Sequence, residues 1–336
     1  MIRKIVKAAG SAWGQRITIL VLICIVMAIS QPVFFHPNNA TNILQAIAVI
    51  GIMSCGMLFT VLVGGMDLSV GSMAGLAASV TFKIAELNGF SDNSFILGFL
   101  LALLLCLLVG YLNGFFVTSF GLPAFVVTLA MRYVLYGIIP QVTNGYLIIN
   151  PKSRFIHQLG NHVVLTIPLK EGMFRVPMPV ILLIIVVAIA AFILVKTTYG
   201  RKLYAIGGNR RAANLVGIHS SANIRGAFMI SSVIAGFGGG LLASMNGQAG
   251  LQTALGYEGS VLMAMVVGGI NLAGGEGGVP GAVFGALLVG IINNVLLLLS
   301  VSSDTQKFIQ GIIILGAMTL NMYARRGTAG MLKVKL

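Results

Sequence analysis

Residues 177–195 read PMPVILLIIVVAIAAFILV, and residues 196–225, which follow directly, read KTTYGRKLYAIGGNRRAANLVGIHSSANIR. The first stretch has no charged side chain, whereas the second carries six of the 21 Lys and Arg residues and no acid. The apolar run is long enough to cross a bilayer, and the basic residues after it are too costly to bury in hydrocarbon. Together they predict a membrane-spanning helix followed by a loop in water, which we call the basic loop (residues 196–225).

The composition of the whole chain agrees with this local pattern. Of the 336 residues, 57% are hydrophobic and only 8% are charged, where a water-soluble domain carries roughly three times as many charges. Because one spanning helix needs about 20 apolar residues, the chain has room for roughly eight to eleven spans and no large domain outside the membrane. Residues 1–336 are therefore predicted to form a single, all-α, polytopic transmembrane domain.

Two other classes of partner receive little support from the composition. The net charge of +14 does not indicate nucleic acid, because the basic residues lie in short clusters beside apolar runs rather than along a soluble face. The three cysteines, Cys24, Cys55 and Cys106, fall inside apolar stretches without the spacing of disulfide or metal sites. We expect them to be small core residues, and we expect no metal site.

Polar and Gly/Pro-rich points divide the chain into ten predicted spans, near residues 17–34, 43–63, 68–83, 95–117, 122–142, 177–195, 226–245, 259–271, 278–299 and 306–323. The third and eighth are short and interrupted by glycine, so they are candidates for broken or re-entrant helices, and eight full spans is the competing count. Residues 1–31 resemble a secretory signal, but no small-residue cleavage site follows, which favours an uncleaved first span.

Charge predicts the orientation, because Lys and Arg are retained on the cytoplasmic side. Ten spans with the N-terminus inside place fourteen Lys and Arg in the cytoplasm and six outside, while most acids, including Glu258, fall outside. We therefore predict a cytoplasmic N-terminus (1–16), a cytoplasmic basic loop (196–225) and a cytoplasmic C-terminal tail (324–336).

The longest predicted exterior loop runs from Thr143 to Val176, longer than an ordinary connection between helices. Loops of this length usually have a function. Docking of an external soluble protein is one hypothesis, and a surface hairpin without any partner is the alternative.

The motif GGMDLSVGS at residues 64–72 lies between two apolar runs. Its first glycines permit a tight turn, and Asp67 or Ser69 is suited to capping the next helix. Gly71 and Gly75 place two small residues on one helix face for close packing. Asp67 and Ser69 are also candidates for a helix break on the translocation path, where Asp67 would bind a cation or a polar solute.

A second glycine cluster, GGEGGVPGAVFG, occupies residues 274–285. Gly277, Gly281 and Gly285 are four residues apart, which predicts one glycine face of a helix that another helix approaches closely. A phosphate-binding loop is the alternative, but no Lys followed by Ser or Thr comes after the glycines, and GK[ST] occurs nowhere in the chain. We expect no nucleotide cofactor on this chain, so any ATP would be used by a partner.

Arg132 is a basic residue well inside a predicted span, where an unpaired cation is costly. It should face a wet cavity on the translocation path or pair with a carbonyl or acid inside the bundle. Asn293 and Asn294 are further candidates for the path or for a helix break. The seven acids and four histidines form no recognisable catalytic constellation, so we predict that the chain is not an enzyme.

Within the basic loop, Asn209 is placed to cap a short helix from Arg210 to Val216, which Gly217 would end. Ala212, Leu215 and Val216 share one face of this helix. Such a helix suits insertion into a groove on a soluble protein. The alternative is an interfacial helix whose arginines contact anionic lipid.

These motifs resemble, in order and spacing, the ribose-type sugar permeases of bacterial ABC importers. The likeness covers residues 40–323 and is carried by GGMDLSVGS, FGLPAFVVTLA at 120–130, YGRKLYAIGGNRRAANLVGI at 199–218, GYE at 256–258 and GGINLAGGEGGVPGAVFGALLVGIINN at 268–294. Many members of that family carry an arginine where this chain has Tyr136, and a further acid shortly after the residue matching Glu258.

The resemblance implies a permease subunit in a bacterial inner membrane that pairs with a second permease copy and receives a simple sugar from a periplasmic or extracellular sugar-binding protein. It also implies a cytoplasmic ABC ATPase subunit as partner, coupled through the basic loop. The residues implied for coupling are Gly200, Arg201, Tyr204, Gly207, Asn209, Arg210, Arg211, Ala212, Leu215 and Gly217. A branched-chain amino-acid or nucleoside ABC permease and an ion-coupled secondary transporter are the alternatives.

Overall fold

The computed structural model describes residues 12–149, 154–169 and 172–333, and thirteen α-helices dominate them. The helices are α1 Ala12–Ser30, α2 Pro37–Leu62, α3 Val70–Leu87, α4 Asp92–Ser119, α5 Ala124–Thr143, α6 Arg154–Asn161, α7 Met178–Lys196, α8 Thr198–Gly208, α9 Arg210–Leu215, α10 Ser220–Asn246, α11 Tyr257–Val267, α12 Val279–Leu298 and α13 Ser303–Lys333. A 3-10 turn occupies Pro32–Phe35, and the strands are β1 Ile148–Ile149, β2 Val163–Leu169, β3 Gly172–Pro177 and β4 Gln248–Ala249.

A helix covers most of each of the ten predicted spans, which confirms the polytopic all-α class. In the described part of the chain, seven helices are long and apolar enough to cross a membrane: α2, α3, α4, α5, α7, α10 and α12. The third predicted span is one continuous helix, α3, of 18 residues. The eighth, α11, has only 11 residues and covers about 16 Å, about half a bilayer core. The broken-helix hypothesis is therefore right for the eighth span and wrong for the third.

Three helices form the centre of the bundle. In the most apolar 18 residues of each helix, the buried share is 78% for α2, 72% for α3 and 67% for α10. The corresponding share is 22–33% for α4, α5 and α7. The outer helices expose leucine, isoleucine and phenylalanine, as expected for a protein whose surface meets lipid. Close approach in the centre depends on glycine, because a Cβ at Gly239 of α10 would overlap the backbone of Ala74 in α3.

The segment between α5 and α7 folds into structure of its own at one end of the bundle. β2 and β3 form an antiparallel hairpin, β1 pairs with β4, and α6 is held to α10 by Asn161, whose amide donates to the carbonyls of Ser244 and Met245. We call this the hairpin end, and the opposite end, which carries α8 and α9, the basic-loop end. A partner for the hairpin end stays a prediction.

The predicted terminal segments are only partly described. Residues 1–11 and 334–336 lie outside the described residues, so the predicted N-terminus (1–16) is seen only from Ala12 onwards. Helix α13 continues to Lys333, ten residues beyond the predicted end of the last span. The change from apolar to basic residues near 324 predicts a membrane boundary, and a helix can continue past such a boundary because its backbone bonds are internal.

Candidate translocation site and coupling surface

The chain reaches α11 through a non-helical segment that runs along α3. After α10 ends at Asn246, residues 250–256 form turns, and Gly256, with φ of 88°, starts α11 inside the bundle. Gly75 and Gly71 of α3 make room for this segment, since a Cβ at Gly75 would lie 2.7 Å from the Thr253 carbonyl and one at Gly71 would overlap the Glu258 carboxylate. The prediction that these two glycines allow close packing is confirmed, although their partner is an irregular segment followed by a half-helix.

An ion pair joins α5 to the first turn of α11. Arg132 Nη2 lies 2.5 Å from Glu258 Oε1, and their side chains are 29% and 8% exposed. The Tyr136 hydroxyl donates to Glu258 Oε2 at 3.5 Å, and the Arg132 guanidinium lies 5.5 Å from the centre of the Tyr136 ring. The carboxylate is further favoured by the positive end of the α11 dipole. Arg132 therefore pairs with an acid inside the bundle, and Glu258 is buried among the helices rather than exposed in a loop.

The ion pair lines a cavity of about 480 Å³. Its polar side chains are Arg132, Glu258, Lys307 and Gln310, and its apolar ones include Leu255 and Leu262. The Arg132 Nε atom is buried and has no hydrogen-bond acceptor among the described residues, so the guanidinium keeps a donor unused. A mixed set of donors and acceptors on apolar walls suits a hydroxyl-rich, uncharged solute.

Asp67 lies in a separate, fully buried polar cluster. Its Oδ1 accepts hydrogen bonds from the Ser69 N–H and hydroxyl, and its Oδ2 accepts one from the Ser231 hydroxyl of α10. Asn113 of α4 donates to the Ser69 hydroxyl. Ser69 occupies the N-cap position of α3 without a capping bond from its side chain, so Asp67 orders the turn before the helix. This geometry fits the prediction that Asp67 stabilises the turn before α3. Neither Asp67 nor Ser69 lines the cavity.

The two asparagines predicted near a helix break lie within α12, which is continuous over Val279–Leu298. Asn294 exchanges two side-chain hydrogen bonds with Asn39, at 3.0 and 2.8 Å, and so joins α12 to the start of α2. Asn293 accepts a bond from Gln310, a residue that lines the cavity. The helix-break hypothesis is wrong for both, and Asn293 supports the cavity wall through Gln310.

The predicted glycine face of residues 277, 281 and 285 is correct for two of its three members. Gly281 and Gly285 lie in α12 and pack against the backbone of Gly268 and Ala264 at the end of α11. Gly277 precedes the helix, adopts a φ of 127° and packs against Ile270. The four-residue spacing misplaces Gly277 because Pro280 in the first turn of α12 sets the helix start after it.

The basic loop folds into α8 and α9 as a pair of short helices. The Asn209 side chain accepts the Ala212 N–H at 3.0 Å, and Gly217, with φ of 83°, ends α9. Ala213 is buried, whereas Leu215 and Val216 are 89% and 76% exposed. The predicted helix, its cap and its exposed apolar face are confirmed.

Anchors on α8 fix this surface to the bundle. Gly207 lies against the Leu62 carbonyl and Gly275, and the Tyr204 hydroxyl donates to the Gly277 carbonyl at 2.9 Å. Burial raises the pKa of the Tyr204 phenol above its ordinary value, which keeps the hydroxyl a donor. Gly200 allows the turn from α7, since a Cβ there would overlap the Leu194 carbonyl. Seven predicted coupling residues are solvent-exposed: Arg201, Asn209, Arg210, Arg211, Ala212, Leu215 and Gly217.

Helix α11 connects the two regions. Its first turn carries Glu258 at the cavity, and the loop after its last turn, residues 268–278, contacts α8 through Gly275 and Gly277. The sequence analysis missed four polar residues of this site: Glu258, Lys307 and Gln310, which line the cavity, and Tyr136, which donates a hydrogen bond to Glu258. Glu258 had a usable signal, because the motif GYE at residues 256–258 is one of the blocks that resemble the permease family.

A bundle of spanning helices with one broken helix at a polar cavity, connected to a basic surface helix, defines a polytopic membrane permease. The family described as "Branched-chain amino acid transport system / permease component" matches residues 39–318, and the chain belongs to this family.

The matches with three curated relatives extend over nearly the full length of each protein. The chain is 33% identical to a ribose import permease protein of Haemophilus influenzae, over 91% of this chain and 92% of the relative. It is 35% identical to the ribose import permease protein of Escherichia coli K12, with the same coverage, and 31% identical to the L-arabinose transport system permease protein of that strain, over 94% and 93%. No solved structure matches the chain.

Proposed function

We propose that this chain is the permease subunit of an ATP-driven ABC importer that carries a simple sugar across a bacterial inner membrane. The observation that carries the proposal is the cavity at the Arg132–Glu258 pair, whose polar side chains on apolar walls suit a sugar. The names of the ribose and arabinose relatives support a sugar of pentose or hexose size, or a sugar-like signal molecule.

In this proposal a cytoplasmic ATPase binds the exposed face of α9, and the chain hydrolyses no ATP itself. Movement of α8 and α9 passes through Tyr204 and Gly207 to the loop at 268–278 and then to α11. A shift of α11 separates Glu258 from Arg132 and changes which side of the membrane the cavity meets, by rigid-body motion of the bundle.

The remaining partners follow from the same arrangement. An external sugar-binding protein docks at the hairpin end, a second permease copy completes the path, and both termini lie in the cytoplasm. The excess of Lys and Arg at the basic-loop end supports this orientation.

Uptake by proteoliposomes tests the proposal. The chain is reconstituted with a candidate ABC ATPase and a candidate sugar-binding protein, and labelled ribose, allose, arabinose and leucine are supplied outside. We expect ATP-dependent uptake of one of the sugars, no ATP hydrolysis by the chain alone, and no uptake under an ion gradient without the ATPase.

Leucine uptake would instead support a branched-chain amino-acid permease, the second candidate, which the family description favours. Gradient-driven uptake by the chain alone would overturn the proposal in favour of a secondary transporter.

A further inference from the structure

An apolar groove runs along the outer surface between α4 and α10. It has a volume of about 570 Å³ and is lined by Leu101, Leu104, Leu105, Leu107, Leu108, Tyr111 and Met229. Its α4 residues recur every three or four positions, so they form one stripe on the membrane-facing side of that helix. A groove of this composition fits an acyl chain.

The stripe leads directly to a cationic group at the basic-loop end. Phe115 lies one helical turn after Tyr111 on α4, and the two rings stack with centres 6.2 Å apart. Arg225 lies one turn before Met229 on α10, and its guanidinium is 5.4 Å from the centre of the Phe115 ring. Aromatic rings beside an arginine at a membrane-facing helix end are typical of the level of lipid headgroups.

Arg225 is held in place by hydroxyl groups. Its Nε donates to Thr118 Oγ1 at 2.8 Å and its Nη2 donates to Ser119 Oγ at 2.9 Å. None of the ion pairs described in the structure involves Arg225. A guanidinium has five N–H donors, so three remain for a further acceptor, and the exposed Ser119 hydroxyl can add its own hydrogen.

We propose that Arg225, Ser119 and the groove between α4 and α10 form a binding site for an anionic phospholipid. The guanidinium receives the phosphate through paired hydrogen bonds, and one acyl chain fills the groove past Tyr111 and Met229. Charge complementarity selects this occupant over a neutral lipid, because an arginine that makes no ion pair among the described residues lies at the end of an apolar groove.

Native mass spectrometry of the full chain tests the site, with phosphatidylglycerol and phosphatidylethanolamine of identical acyl chains as probes. The wild type should retain phosphatidylglycerol preferentially, and Arg225→Gln should weaken its binding about tenfold, as expected for loss of charged hydrogen bonds. Lys202→Gln is the matched control, because Lys202 is an exposed base at the same end of the bundle. Equal binding by the two variants would overturn the proposal.

Two further variants separate the groove from the headgroup and keep the test informative if Arg225→Gln fails to fold. Met229→Trp fills the groove and should weaken phosphatidylglycerol binding with Arg225 intact. Arg225→Lys keeps the charge and should retain part of the preference for the anionic lipid. If Met229→Trp binds as the wild type does, the groove does not hold the lipid and the proposal is wrong.

Two further measurements test whether a different molecule occupies this site. Glycerol phosphate, which has no acyl chain, should not displace the lipid at equal concentration, and displacement would indicate a free-phosphate site instead. A Leu104→Cys variant should not form disulfide-linked dimers in membranes. Dimers formed through position 104 would show that a second copy of the chain covers the groove.

Discussion

At the level of single residues, the Arg132–Glu258 pair joins α5 to the first turn of the half-helix α11. Breaking a buried pair is costly because the remaining charge stays desolvated. Glu258 is the more buried partner, at 8% exposure against 29% for Arg132. The two single substitutions should therefore differ in cost.

We predict that Arg132→Gln destabilises the protein by about 2–4 kcal/mol and Glu258→Gln by about 1–2 kcal/mol, since the partly exposed guanidinium is screened by water. The double variant should recover part of the loss. Thermal unfolding in detergent, analysed as a double-mutant cycle, measures the coupling. Additive effects of the two substitutions would contradict the ion pair.

The role of Gly71 depends on the residues that face it, Glu258 and Ala254. A Cβ at position 71 would overlap the Glu258 carboxylate and lie 3.2 Å from the Ala254 carbonyl. We predict that Gly71→Ala lowers stability by about 1–3 kcal/mol, as overpacking does.

Gly137→Ala provides the matched control for Gly71→Ala. Nothing lies within 4 Å of a Cβ at position 137, which is also within a helix. The alanine should be neutral or stabilising by about 0.5–1 kcal/mol because it reduces the freedom of the unfolded chain. Melting temperatures of the two variants compare them directly, and equal shifts would contradict the close contact at Gly71.

At the level of elements, α9 has six residues and depends on its cap, since so short a helix is unstable alone. We predict that Asn209→Ala removes about 1 kcal/mol from the folded helix and weakens stimulation of the partner ATPase about fivefold. Asn209→Ser, which keeps a capping hydroxyl, should behave nearly as the wild type. ATPase assays in proteoliposomes measure both, and unchanged stimulation in Asn209→Ala would contradict coupling through α9.

Elements built from local signals were predictable, and those built from distant contacts were not. The cap at Asn209 and the stop at Gly217 act within four residues, so the sequence specifies α9 directly. In contrast, the sequence pattern does not reveal that residues 250–256 avoid a helix and pack on Gly75. The sequence analysis predicts Glu258 outside the membrane because the sequence of this irregular segment is typical of an ordinary loop.

At the level of the whole molecule, the predicted orientation can be checked by labelling. The natural thiols of Cys55 and Cys106 are fully buried, and the partly buried Cys24 is replaced by serine to keep the background low. We predict that Arg210→Cys reacts with an impermeant maleimide only in opened cells, because the proposed orientation places α9 in the cytoplasm. Leu165→Cys, in the half-exposed hairpin, should react in intact cells. The reverse pattern would invert the topology.

Hydropathy and charge along the chain were sufficient for the polytopic all-α class, and they predict the orientation, because transfer of apolar and charged groups between water and lipid depends on local composition. Only the tertiary structure decided that the eighth span is half a helix, that Arg132 meets Glu258 across 126 positions of sequence, and that this pair opens onto a cavity. The physical reason is that pairing and desolvation depend on which surfaces face each other after packing, and a buried charge has no sequence-local signature of its partner.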